Sequence, residues 1–326
     1  MSAAVHIEEL TKDYLVGFWR RRTYRALDRL SLTIEPGEVF GFLGPNGAGK
    51  TTTLKLLMQL IYPTSGRAEI LGRPVGDVAA RRRIGYLPEN PSFYDYLTAE
   101  ELLTYFAQLL EVPTADRRRR VSDLLDRVGI GRERRFQLRK FSKGMVQRVG
   151  IAQALLNDPE VVFLDEPMSG LDPLGRRDVR TMILELRDQG RTVFFSSHIL
   201  ADAEALCSRV AIVAGGRLAA TGRINELAHF EARGWEIVAA NLPSEGLERL
   251  RPLTTRVTAI GPGQYTLELP LAQLPERIVP EIAATGASIV SVNPVRETLE
   301  DFFVKRIAEA AEVARVEAVG DQHARR

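Results

Sequence analysis

GPNGAGKT, residues 44–51, lies between an apolar run, EVFGFLG, and a helical pattern, TTTLKLLMQLI, and that placement decides the fold. Gly44, Gly47 and Gly49 let the backbone turn so that successive N–H groups face phosphate oxygens. Lys50 then sets a positive charge between the β- and γ-phosphates, and the Thr51 hydroxyl is placed to ligate magnesium. The N-terminus of the following helix adds its dipole. The expected cradle runs through Gly44, Pro45, Asn46, Gly47, Ala48, Gly49, Lys50, Thr51 and Thr52.

VVFLDEP, residues 161–167, supplies the other half of such a site. Its apolar residues bury a strand and deliver Asp165 and Glu166 to the polar end. Asp165 would hold magnesium, directly or through water, and Glu166 would face the attacking water as general base or positioning group. An acidic pair after an apolar strand can also cap a helix; the glycine loop upstream favours the catalytic reading. FSKGM, residues 141–145, offers the Ser142 hydroxyl as a helix cap and, with the Gly144 N–H, as an anion site. TVFFSSH ends in His198, and a lone histidine is more often structural than catalytic.

Strand and helix patterns alternate through the first two-thirds of the chain, which predicts right-handed crossovers and a mainly parallel sheet with ligands at the strands' C-terminal ends. Residues 97–154 interrupt that alternation as a helix-rich insert. Beyond residues 222–234 the order becomes strand, helix, strand, strand, helix, strand, a small ferredoxin-like α+β pattern. From Arg296 an amphipathic helix is expected, with Leu299, Phe302, Phe303 and Ile307 on its apolar side, before a frayed end. The predicted fold is α/β with a P-loop NTPase domain over 1–228, an accessory α+β domain over 229–295 and a helix and tail over 296–326.

The 326 residues, 45% hydrophobic and 26% charged, have the composition of a globular protein. A net charge of +2 excludes a general polyanion binder. Arginines cluster at 20–22, 81–83, 117–120 and 132–135, read as solvated faces or, alternatively, contacts to anionic headgroups or acidic loops of a membrane partner. Cys207 is the only cysteine, so no internal disulfide forms, and its apolar neighbours predict a buried thiol. The N-terminus has no secretory pattern, and no stretch approaches the roughly 18 apolar residues of a spanning helix.

GPNGAGKT, FSKGM, VVFLDEP, SGLD (residues 169–172) and SSH, in that order, resemble the nucleotide-binding subunit of an ABC transporter. The resemblance runs from about His6 to Glu226 and is strongest to the exporter-type subfamily. It implies ATP and Mg2+ as ligands and a dimer, homomeric or heteromeric, in which two ATP molecules lie between the glycine loop of one subunit and the FSKGM of the other. It also implies an integral membrane permease as partner, no nucleic acid, and a cytoplasmic position on the inner face of the membrane. Carried over residue by residue, His198 matches the switch histidine that contacts the γ-phosphate. Ser142 and Gly144 match the trans phosphate contacts, Asp172 belongs to the loop through which subunits communicate, and Tyr14 matches the aromatic that stacks on adenine. Phe18, Trp19 and Tyr24 are weaker candidates for that stacking role. Departures are Phe141, Lys143 and Met145 in LSGGQ, and Glu89 of IGYLPEN where the family usually has a glutamine that meets magnesium. PSFYDYLTAEELL is then expected to form part of the permease groove. Alternative functions are a soluble ABC protein acting on nucleic acid or ribosomes, or a regulator that binds ATP without hydrolysing it.

Overall fold

The computed structural model describes residues 3–17, 22–227, 232–296 and 300–309. In chain order the elements begin with β1 (Val5–Val16), β2 (Arg22–Ile34), β3 (Val39–Leu43), α1 (Lys50–Leu57), β4 (Ser65–Ile70) and β5 (Arg73–Pro74). They continue with α2 (Val78–Arg81), β6 (Ile84–Leu87), α3 (Ala99–Leu109), α4 (Thr114–Arg127), α5 (Lys143–Ala154), β7 (Val161–Asp165) and α6 (Pro173–Asp188). Next come β8 (Thr192–Ser197), α7 (Leu200–Leu206), β9 (Arg209–Ala214), β10 (Arg217–Arg223) and α8 (Ile224–Leu227). The last are β11 (Ala232–Ala240), α9 (Ser244–Leu250), β12 (Arg256–Gly261), β13 (Gln264–Pro270), α10 (Pro275–Ala284) and β14 (Ser288–Arg296).

The central sheet has the order β10-β9-β3-β8-β7-β6. It is parallel except for β10, which pairs antiparallel with β9. Every residue of β3, β7 and β8 is buried, as expected for strands covered on both faces. Phe40, Phe42 and Phe163 all meet the ring of Phe194, with centroids 5.9, 5.2 and 5.7 Å away. Strand ends β3, β7 and β8 thereby release the glycine loop, Asp165–Glu166 and His198 at one edge of the sheet.

The alternating pattern did not foretell a second sheet, β2-β1-β4-β5, which is wholly antiparallel. Register shifts at Ile7/Leu10, Leu10/Lys12 and Lys12/Asp13 break the period of two by which such strands announce themselves.

Residues 97–154 hold α3, α4 and α5. A capping box starts α3, the Thr98 side chain accepting from Glu101 N–H while the Glu101 carboxylate accepts from Thr98 N–H. Within it Arg119 pairs with Asp116 and Arg134 with Asp126, while in the preceding arginine cluster Arg82 pairs with Glu111 and Arg83 with Glu160. Asp172 caps α6 by accepting from Gly175 N–H at 2.7 Å, Pro173 takes the first turn, and Gly190 at φ 76° closes the other end.

The chain divides into two compact units, one reaching to Ile224 and including the helical residues from Lys305, the other running from Asn225 to Val304. The second unit contains the sheet β12-β13-β11-β14, all antiparallel, with α9 and α10 between its strands. That is the ferredoxin-like order. Ile237, Leu250, Leu267, Leu269, Ile278 and Ile282 form its own core. Residues 300–309 are helical and Phe302 is buried; Leu299 and everything from residue 310 lie outside the described residues. No described helix is long and apolar enough to cross a membrane.

Candidate nucleotide site

A cavity of about 530 Å³ gathers Tyr14, Asn46, Gly47, Ala48, Gly49, Lys50, Thr51, Thr52, Glu89, Glu166 and His198, all of them expected site residues. Tyr24, Ala26 and Ser169 complete the lining. Gly47 at φ 81° and Gly49 at φ 106° occupy the left-handed region that the turn requires. Gly44 does something else. A Cβ there would stand 2.4 Å from Val213 O, so this glycine is needed for close packing on β9. Its N–H donates to Ser197 O at 3.3 Å and does not face the cavity. The Gly44 and Pro45 carbonyls instead accept from Lys50 Nζ, at 2.7 and 3.3 Å.

Glu166 stands between two expected partners. Its Oε1 is 3.3 Å from Lys50 Nζ and its Oε2 is 2.9 Å from His198 Nδ1. Its backbone is left-handed, φ 50°, a strain of about 1–3 kcal/mol for a residue with a Cβ. That turn swings the carboxylate away from the line of β7 and toward the glycine loop.

Ser196 was not singled out by its sequence, yet it organises this corner. Its Oγ accepts from Glu166 N–H at 3.0 Å and donates to Asp165 Oδ1 at 2.6 Å. The available signal was its position in SSH, at the end of the strand next to β7. Asp165 Oδ2, by contrast, is buried with no hydrogen-bond partner. Burial pushes the Asp165 carboxyl above the usual range, opposed by the Ser196 and Thr51 hydroxyls, while the Glu89 charge pushes the same way as burial. Tyr86, half-buried beside the charges of Asp165 and Glu89, is pushed up to about 12. An orphaned carboxylate oxygen beside a threonine hydroxyl and a second carboxylate is a donor set that suits magnesium. Glu89 itself is exposed.

Ser142, Gly144 and Asp172 are not in this cavity. They line a separate one of about 510 Å³ together with Gly129, Arg148 and Leu171. Ser142 caps α5, accepting from Met145 N–H at 3.3 Å. Gly144 approaches Gly170 and Leu171 so closely that a Cβ would lie 3.3 Å from the Leu171 side chain. Tyr14 and Tyr24 are direct cross-strand partners on the β1–β2 hairpin; Phe18 and Trp19 lie outside the described residues.

The protein family described as ABC transporter matches residues 27–169. An uncharacterised ABC transporter ATP-binding protein of Synechocystis is 45% identical over 303 residues, covering 92% of this chain and 84% of the relative. This chain is an ABC transporter ATP-binding protein. Other relatives of this ATP-binding protein include the fluoroquinolones export ATP-binding protein of Mycobacterium tuberculosis, 41% identical across 62% of this chain and 66% of that one. Among solved structures, a dimeric ATP-binding cassette in a post-hydrolysis state, bound to ADP and Pi, superposes with a TM-score of 0.62. It is 25% identical and the match covers 67% of this chain and 98% of that one. As an ABC ATP-binding protein the chain is an ATPase.

Proposed function

We propose that this ATP-binding protein is the energy-coupling subunit of an exporter, working as a dimer that closes on two ATP molecules. The observation that carries the reading is the separation of the two motif sets. The glycine loop, Glu166 and His198 share one cavity, while Ser142 and Gly144 line another in the same chain. A second subunit can supply Ser142 and Gly144 to the first subunit's phosphate; a single chain in this conformation does not.

In that assembly Lys50 leaves Glu166 for the phosphate oxygens, and Glu166 is free to orient and deprotonate the attacking water. His198 Nδ1 fixes the carboxylate and reports whether a γ-phosphate is present. Thr51, Asp165 and Glu89 would hold Mg2+, which when bound neutralises charge on the phosphates. Ser196 keeps Asp165 aimed by occupying one oxygen and leaving the other open. The exposed rings of Tyr94, Tyr96 and Tyr105, the first in contact with each of the other two, supply an apolar surface for a permease segment at the inner face of the membrane. Export is supported by the fluoroquinolones export relative.

The test mixes two broken protomers. Lys50→Ala spoils the glycine-loop half of its own site, and Ser142→Arg spoils the half it lends to its partner. Each variant alone should be inactive, whereas a mixed dimer contains one intact composite site and should recover ATP hydrolysis. No recovery at concentrations where mixed dimers form would show that the sites are not shared.

A further inference from the structure

We propose that Asp28 is a positioning residue for the glycine loop: it locks the turn between β9 and β10 behind the loop and so sets where Ala48, Gly49 and Lys50 stand. This rests on the reading of the glycine-loop cavity as the site of the ATP phosphates and extends it to a residue outside the cavity.

Three stretches of backbone meet behind the loop with no side chain between them. A Cβ on Gly49 would stand 2.8 Å from Ala26 O, and a Cβ on Gly216 would stand 2.8 Å from the same oxygen. Gly216 N–H donates to Ala48 O at 3.1 Å, while Gly216 O accepts from Asp28 N–H at 2.9 Å. The strand before the turn backs the loop's first residue, at the close approach of Gly44 and Val213 O. The turn itself is two left-handed glycines, Gly215 at φ 55° and Gly216 at φ 81°. Glycine loses the most conformational freedom on folding, so this turn needs a restraint from outside itself.

Asp28 supplies it. Arg217, the residue after the turn, brings Nε and Nη2 each to 2.6 Å from Asp28 Oδ2. Arg25 Nη1 and Arg29 Nε approach Oδ1, at 3.3 and 3.6 Å. The carboxylate is only 5% exposed. Burial alone would push it up, but the hydrogen bond and charge of Arg217, with the charges of Arg25 and Arg29, hold it below the usual range. Swinging Arg217 away would leave part of a buried charge unpaired, which is costly. The turn is thus tied to Asp28 by backbone and side chain alike. Glu166 and His198 follow β7 and β8, which pair with neither β2 nor β10. The restraint therefore acts on where the phosphates sit and not on the side chains that face the attacking water.

The experiment measures binding of inorganic triphosphate and of a non-hydrolysable ATP analogue, each with Mg2+, to the full chain by calorimetry, together with its ATPase kinetics. Asp28→Asn should weaken both ligands by the same factor, about 2- to 30-fold, the range for residues acting through a packed network. KM for ATP should rise by that factor with kcat unchanged. Arg217→Gln, which leaves Asp28 its other two arginines, should do the same, and it decides the matter should Asp28→Asn fail to fold. Arg217→Lys, which restores the charge, should recover binding. In the double variant the two losses should not add, since either change already frees the turn. Glu8→Gln, which breaks an exposed ion pair with Arg67 on the same antiparallel sheet, should change neither ligand. A lower Tm with parent affinity for both ligands overturns the inference, as does a fall in kcat at unchanged KM. A parent that binds neither ligand overturns the reading of the cavity beneath it, an outcome distinct from the other two.

Discussion

Glu166 Oε1 lies 3.3 Å from Lys50 Nζ, and both side chains are buried. The carboxylate expected to activate water thus already neutralises the ammonium expected to hold phosphate. Neither charge is left alone in a poorly solvated place, where an unpaired ion is costly. Arrival of a γ-phosphate offers Lys50 a new anionic partner and releases one oxygen of Glu166 for water.

Glu166→Gln therefore has two expected effects. Hydrolysis should fall by about 10²–10⁴-fold, the usual contribution of a positioned base. ATP affinity should hold or rise, because no ion pair with Lys50 has to be exchanged. Size-exclusion with ATP should show a dimer for the variant and mostly monomer for the parent. Turnover at the parent rate would remove Glu166 from the chemistry.

Asp165→Asn tests the metal half of the site. The substitution keeps the shape and the Ser196 contact but removes the charge whose Oδ2 has no protein partner. Half-saturation of the ATPase by Mg2+ should move upward by at least about tenfold, while metal-free nucleotide binding changes little. An unchanged Mg2+ titration would leave the orphaned oxygen without a ligand role.

Much of this corner was legible in the sequence because motif chemistry is local. GPNGAGKT, LDE and SSH each end a buried apolar strand, so a parallel sheet brings them to one edge. The left-handed turn at Glu166 was not legible, since nothing in LDEP requires a positive φ. Ser196 was hidden for a similar reason: its role depends on β8 lying next to β7 in register, with Ser196 opposite Asp165. Gly44 looked like a turn glycine and proved to be a packing one, because the carbonyl that crowds it comes from Val213, far along the chain. The antiparallel sheet was obscured by the bulges of β1. In the second unit the alternation is imperfect, Val238 being apolar between Ile237 and Ala239, yet the order of strands and helices could be read directly.

Gly85→Ala probes the packing that positions β6. A Cβ at this position would stand 2.0 Å from the Ala154 carbonyl at the end of α5. Backbone must move to make room, which costs about 1–3 kcal/mol. A domain the size of the first unit should lose about 2–4 °C in Tm per kcal/mol, readable by calorimetry. An unchanged Tm would mean that the α5–β6 contact is looser than its geometry.

Cys207 should be inert in the native protein. Burial pushes its thiol well above the ordinary range, and the Glu38 charge adds to that, so little thiolate is present at neutral or mildly alkaline pH. Labelling by a thiol reagent at pH 8 should be at least about tenfold faster after denaturation than before. Equal rates would place the side chain in solvent.

The second unit is expected to tune the ATPase and its dimer, not to build the nucleotide site. Its sheet and helices close on a core of their own, and every residue lining the glycine-loop cavity lies between Tyr14 and His198. Nothing in its sequence combines paired carboxylates with a histidine or offers a glycine-rich phosphate loop. Ending the chain after Leu227 removes the second unit together with the helical residues from Lys305 that belong to the first, and should leave affinity for the ATP analogue within about threefold of the parent, less than the change from losing one hydrogen bond. Dimer affinity, permease coupling or the basal rate should change instead. Affinity is the deciding measurement, made on a truncated form whose circular dichroism shows it folded. Loss of binding in that form would mean that residues beyond Leu227, either those of the second unit or the first unit's helical residues from Lys305, help to shape the site.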